Sequence, residues 1–294
     1  MNFHSHGHQQ HIALGVVFAV MASICFTLMS LLTKVIGTSA KIDLVLFSRF
    51  FVSFLLLLPL ALKHPRELII VQPFKLVFRT IFTLFGLACL FYSLRYISLT
   101  DALLLTNTSP LFIPILVLIA HQAKTPSKVW GGIILGFIGI ALVLHPGVHL
   151  FQPVALIALA SGLFAGIAFV IIRSLTKSLS IIQILFYNFL FASLVTACVL
   201  PFGWVTPNDR TLWLLLGVGI FGAGYQFLST LSIAKAPIRI TSSLQFLSIV
   251  FGAIADFLIW KQVPDLFSFM GICLVILGGI LAIYFGQKEI KTKS

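Results

Sequence analysis

Acidic side chains are scarce: seven aspartates and glutamates stand against nineteen lysines and arginines in 294 residues, and charged residues of both signs make up only 9%. Soluble domains carry charge at about a quarter of their positions, so that class is excluded. Cysteine is equally thin. Cys25, Cys89, Cys198 and Cys273 sit singly in apolar stretches with no Cys-x-x-Cys spacing, which excludes a disulfide framework or a zinc site and leaves packing as their role. Catalysis lacks its parts too. No nucleophile, base and orienting acid fall in one pattern, so the chain does not read as an enzyme. Gly217, Gly219 and Gly222 match G-x-G-x-x-G but lie inside an apolar run, and the next acid is as far away as Asp256; no dinucleotide or other cofactor is implied.

What is present in excess is apolar surface: 60% of residues, with a mean hydropathy of +1.13. A hydrocarbon core roughly 30 Å thick takes about twenty apolar residues at 1.5 Å rise. Such stretches fall at roughly 11–33, 43–62, 74–95, 101–121, 129–146, 152–173, 181–201, 211–233, 238–260 and 265–286. The expected fold is therefore an all-α integral membrane protein of ten transmembrane helices, with the lipid bilayer as solvent for most of its surface. The first stretch is too long for a cleaved leader and is expected to stay as a helix.

The net charge of +12 does not point to nucleic acid, because the basic residues stand singly or in pairs near span ends and form no stripe. They act as topology signals. With a cytoplasmic amino terminus, thirteen lysines and arginines fall inside and six outside, the six being Lys34, Lys41, Arg49, Arg95, Arg210 and Lys261. The positive-inside rule then places both termini in the cytoplasm of a multi-pass protein in the cell inner membrane.

Shifting the chain against itself by 139 residues superposes the first five spans on the last five without a gap. Ile42 meets Ile181, Phe47 meets Phe186, Phe82 meets Phe221, Phe112 meets Phe251, Gly132 meets Gly271 and Gly139 meets Gly278. The shared register of span boundaries carries more weight than these identities in so biased a composition. Five is odd, so the two halves cross in opposite senses and form inverted repeats. Secondary transporters use that architecture to expose a midplane site to one side and then the other. The expected organisation is a His-rich tail over 1–10, a five-helix repeat over 11–146, a second over 150–286, and a basic tail over 287–294.

The chain resembles the drug/metabolite transporter superfamily, of the EamA type, over nearly its whole length. The resemblance rests on Arg49-Phe50, Arg79, Ser109-Pro110 and Gly132 to Gly139 in the first half. In the second it rests on Leu244-Gln245-Phe246, Val263-Pro264-Asp265-Leu266 and Gly271. Where members often carry glutamates near the ends of the fourth and ninth spans, this chain has Ala123 and Gln262. What the resemblance implies is a ten-helix carrier of small molecules with cytoplasmic termini and a central cavity.

Ionisable groups inside the bilayer cost about 3 kcal/mol or more and need partners or water, so they mark sites. Arg49 lies about two turns inside the second span, and Asp256 is the one carboxylate well within any span. One cation and one anion suit a zwitterion such as an amino acid or derivative, with the guanidinium on a carboxylate and Asp256 on an amine or sulfonium. An Arg49–Asp256 pair that is merely structural is the alternative. Tyr92, Asn107, Tyr187, Asn188, Tyr225, Gln226 and Gln245 are the further candidates, with interhelical hydrogen bonding as the alternative for each. Asn188 holds the repeat position of Arg49. Asp256 is also the candidate for proton coupling. Pro59, Pro110 and Pro114 lie within spans, and His4, His6, His8 and His11 form a polar tail rather than a selective metal site. An exporter of amphipathic compounds, drawing on the 29 phenylalanines, and a structural protein without flux are the other readings.

Overall fold

The computed structural model describes residues 4–63, 72–109, 111–113, 115–116, 127–143, 153–176, 178–202, 206–236, 244–262 and 265–292. Pro110, Pro114, Ala123, Val263 and Pro264, and the side chains of the amino-terminal histidines, lie outside the described residues. Among the described residues there is no strand, and ten main helices carry the fold. They are α1 (His4–Ile36), α2 (Ile42–Lys63), α3 (Pro73–Ser93), α4 (Leu99–Thr106), α5 (Ser127–Val143), α6 (Pro153–Leu175), α7 (Ile181–Val199), α8 (Asp209–Lys235), α9 (Leu247–Ala255) and α10 (Leu266–Thr292). Among the described residues six segments are long and apolar enough to cross a membrane: Ala13–Ile36, Ile42–Lys63, Pro73–Ser93, Pro153–Ile172, Ile181–Val199 and Asp209–Lys235. Trp130–Leu142, Leu247–Trp260 and Leu266–Leu281 are shorter apolar helices.

Helix starts follow local chemistry. Ser98, Ser180 and Asn208 accept the backbone N–H three residues on and cap α4, α7 and α8, satisfying a donor that apolar surroundings could not. Large apolar residues such as Leu56, Phe78, Phe85, Leu194, Ile220 and Ile254 face outward and give the perimeter a hydrocarbon surface.

The packing survives an exchange of the two halves. α1 on α8 corresponds to α6 on α3, α2 on α8 to α7 on α3, and α1 on α9 to α6 on α4, while α2–α7, α4–α9 and α5–α10 map onto themselves. At α5–α10 the correspondence reaches single atoms. A Cβ on Gly139 would lie 2.7 Å from the Gly271 carbonyl, and one on Gly278 would lie 2.6 Å from the Gly132 carbonyl, the repeat-related contact. Two backbones approach this closely only where both lack side chains.

The fourth and ninth helices differ from the uninterrupted spans expected of them. α4 ends in a turn at Asn107–Thr108, and α9 is preceded by a turn at Gln245–Phe246, nearly the same place at the 139-residue offset. Short polar side chains gather at both. Asn107 Nδ2 donates to the Leu103 carbonyl (2.8 Å), Thr108 Oγ1 to Leu105 (2.6 Å) and Ser248 Oγ to Gln245 (2.7 Å), sharing each carbonyl with a main-chain N–H. Pro110 has no N–H to offer the Thr106 carbonyl. On α1, Ser23 Oγ and Thr27 Oγ1 donate to the carbonyls of Leu244 and Ser248 beside the second turn, so irregular backbone stays hydrogen-bonded. Asn107 Nδ2 also donates to Ser248 Oγ (2.9 Å), which joins the two interruptions directly.

Candidate functional site

Helices α1, α3, α4, α6 and α8 enclose a cavity with about 670 Å³ of empty space, its mouth included. Its wall is mainly apolar and aromatic, with Phe26, Phe82, Leu87, Leu90 and Phe169, and carries a polar set of Arg79, Thr83, Thr106, Ser161, Tyr225, Gln226 and Ser229. No acidic residue lines it among the described residues. A few polar groups in a greasy cleft fix a ligand's orientation while the rest of the wall supplies contact area.

Arg79 is the cation in this wall. It lies toward the end of the second turn of α3, about 9 Å along the helix from Pro73 at 1.5 Å per residue, yet it is only 1% exposed. Its Nη1 donates to the Ile184 carbonyl of α7 (3.3 Å), which aims the guanidinium across the bundle. Thr83, Gly86 and Leu90 follow Arg79 on one helical face, so a single stripe of α3 supplies one side of the cavity.

Arg49 stands one layer behind. Fully buried on α2, its Nη2 donates to the Gly222 carbonyl (3.3 Å) and to Gln226 Oε1 (3.4 Å), and Gln226 in turn lines the cavity. The guanidinium carbon lies 4.5 Å from the Phe50 ring centre and 5.7 Å from that of Phe189, contacts worth about 0.5–2 kcal/mol. Gly222 makes the room: a Cβ there would sit 3.1 Å from Arg49 Cγ. In the repeat-related place, Asn188 of α7 meets Thr80 of α3 (3.5 Å), a shorter side chain against a larger neighbour. Gly219 and Gly222 thus form a packing face toward α2, and Gly217 lies against Leu32 of α1.

The structure does not pair Arg49 with Asp256. Asp256 closes one end of the bundle, where α9 turns into a π-helical segment, Asp256–Trp260. Its carboxylate accepts from Leu99 N (3.2 Å), Thr100 N (2.8 Å) and Thr100 Oγ1 (2.7 Å) at the start of α4, and from Lys34 Nζ of α1 (3.1 Å). Lys34 also lies 4.5 Å from the Trp260 ring centre. This is the one ion pair among the described residues, and it ties three helices together where backbone donors converge.

Of the candidates read from sequence, Tyr225 and Gln226 lie on the cavity wall, and Tyr225 stacks 4.6 Å from Phe26. Arg49 touches the wall through Gln226. The others lie elsewhere. Tyr92 pairs with Tyr96 at the end of α3, and Tyr187 is buried in an apolar cluster with Leu76, Ile172 and Leu175. Asn188 faces Thr80, while Asn107 and Gln245 sit at the helix interruptions. Thr83, Ser229, Thr106 and Ser161 were not singled out in the sequence, and Arg79 was taken as a topology charge. The signal that finds Arg79 and Thr83 is the spacing of small and polar residues down one face of α3.

Ten apolar helices in two matching sets of five, closed around a mixed polar and aromatic cavity, define a multi-pass membrane protein that handles small molecules. The chain belongs to the EamA-like transporter family, whose model matches residues 13–145 and again 152–284, one copy for each half. It is 26% identical over 279 residues to an S-adenosylmethionine uptake transporter of Rickettsia prowazekii (strain Madrid E), covering 92% of this chain and 95% of that protein. It is 27% identical over 271 residues to a pseudopaline exporter of Pseudomonas aeruginosa (strain UCBPP-PA14), covering 92% and 93%. A solved crystal structure shares the fold, with a TM-score of 0.68 at 17% identity over 93% of this chain and 98% of that one. The protein is a membrane transporter of the drug/metabolite type, not an enzyme.

Proposed function

We propose that this transporter carries a small zwitterionic metabolite, an amino acid or a derivative of one, across the inner membrane through the cavity between α1, α3, α4, α6 and α8. The observation that carries the reading is the wall itself: one cation, Arg79, beside Gln226 and Ser229, facing aromatic rings, with no acidic residue among the described residues. A substrate carboxylate takes the guanidinium in a charge-assisted, bidentate contact. An amine or onium group takes the faces of Phe26 and Tyr225 by cation–π attraction, a place first sought at Asp256. S-adenosylmethionine, the substrate named for one relative, combines a carboxylate, an amine and a sulfonium, and fits this chemistry.

The exchangeable packing of the halves supports inverted repeats that alternate access, and the charge distribution favours cytoplasmic termini. The interruptions at Asn107–Thr108 and Gln245–Phe246 are where the fourth and ninth helices would bend. The Lys34–Asp256 contact would close one entrance, the outer one in this orientation. A proton-coupled cycle would use Asp256, which would have to leave Lys34 when that entrance opens. The direction of transport divides the relatives, one named for uptake and one for export.

Counterflow tests the reading. Proteoliposomes holding the purified protein, preloaded with one unlabelled metabolite at a time, are expected to accumulate its labelled form for at least one carboxylate-bearing zwitterion. A broad panel with no exchange would return the chain to a structural role, and preferential exchange of amphipathic cations would favour the exporter of amphipathic compounds.

A further inference from the structure

Two fully buried arginines stand near one cavity, and among the described residues neither has a carboxylate partner. All seven acids are accounted for in the sequence as Asp43, Glu67, Asp101, Asp209, Asp256, Asp265 and Glu289. Asp256 is taken by Lys34, Asp43, Asp101, Asp209 and Asp265 stand at helix ends, and Glu67 and the side chain of Glu289 lie outside the described residues. Arg49 satisfies only Nη2, through Gly222 and Gln226; its Nε and Nη1 are buried without a partner. Asn188 Nδ2, on the helix that receives Arg79, is a third buried donor without a partner. Burying a charged donor unpaired is among the costliest arrangements a fold can hold, and open donors on Arg49, one side chain behind the cavity wall at Gln226, call for an acceptor from outside the chain.

We infer that Arg79 and Arg49 form a paired anion site, and that the preferred substrate carries two carboxylates. Arg79 takes the first from the cavity wall. Arg49 takes the second once the Gln226 side chain, now its acceptor from that wall, turns aside. Gln226 is therefore a neutral stand-in that holds one donor of Arg49 while the site is empty. The inference rests on the carrier reading above and narrows it to dicarboxylic metabolites.

The test measures ligand stabilisation of the full-length protein in detergent with three pairs of near-isosteric probes: L-glutamate and L-glutamine, L-aspartate and L-asparagine, succinate and succinamate. Ligand that binds the native state raises the unfolding midpoint, and does so at lower concentration the tighter it binds. At least one dicarboxylate is expected to reach half-effect at about a tenfold lower concentration than its monoamide, the value of one added charge-assisted contact. Arg49→Gln should bring the two members of that pair together. Gln226→Glu, which supplies an internal carboxylate to Arg49, should raise the midpoint of the ligand-free protein and erase the preference, and this variant keeps the test alive if Arg49→Gln does not fold. The inference is overturned if no pair shows a preference in the unaltered protein, if the preference survives Arg49→Gln, or if Gln226→Glu lowers the midpoint. Equal counterflow of monocarboxylates and dicarboxylates would end this inference and leave the carrier reading standing, whereas absence of all counterflow would end the carrier reading and this inference with it.

Discussion

Arg79→Gln is expected to cut transport efficiency for carboxylate-bearing substrates by about 30-fold or more. Removing one partner of a buried, hydrogen-bonded charge pair costs about 2–5 kcal/mol, and each 1.4 kcal/mol is tenfold. Arg79 meets the condition of burial at 1% exposure, and its guanidinium is fixed by the Ile184 carbonyl of α7. The measurement is initial counterflow rate against concentration for an amino acid and for its methyl ester, which keeps the amine and lacks the carboxylate. A recognition role requires the loss to fall on the acid and largely spare the ester. Arg79→Lys should recover part of the activity, since an ammonium keeps the charge but not the planar fork. Equal losses for acid and ester would make Arg79 a structural group that braces α3 against α7.

Asp256→Leu is expected to destabilise the protein by about 3–5 kcal/mol, because it leaves Lys34 buried without its counter-charge and frees the donors of Leu99 and Thr100. Lys34→Met in the same chain should return much of that loss, since an apolar pair of similar volume avoids an unpaired charge. A thermal or denaturant series on the two single variants and the double variant gives the coupling, expected at about 1 kcal/mol or more. Additive effects would mean that the two side chains act independently. The double variant is also the one in which the closed entrance should open most readily, since α1, α4 and α9 would lose their shared contact.

The spans were legible because bilayer thickness sets helix length and this chain carries little besides apolar residues between its turns. The repeat was legible for the same reason: residues such as Gly139 and Gly278 fall at equal offsets, and the structure places them in reciprocal contact. The interruptions of the fourth and ninth helices were not legible. Hydropathy averages over twenty residues, while Asn107, Thr108 and Ser248 act through single hydrogen bonds to nearby carbonyls. Asp256 stood out as a lone intramembrane acid, but its partner did not. Lys34 looks like a charge at a span end until the fold brings α1 against α9. Arg79 was missed for a related reason, because a cation six residues into a helix reads as a flank able to reach water. Its burial depends on α6, α7 and α8 closing over it, which is tertiary information. Arg49 was found because its depth in α2 left no such escape.

The central claim is that one cavity opens first to one side of the membrane and then to the other. Ser229, on the wall contributed by α8, offers a direct probe as Ser229→Cys in a protein whose Cys25, Cys89, Cys198 and Cys273 are replaced by serine. Impermeant thiol reagents applied in separate experiments to right-side-out and inside-out vesicles are expected to label this cysteine from both faces, and a saturating exchanged substrate should slow both reactions. Labelling from one face only, or at a rate that substrate does not change, would contradict the account.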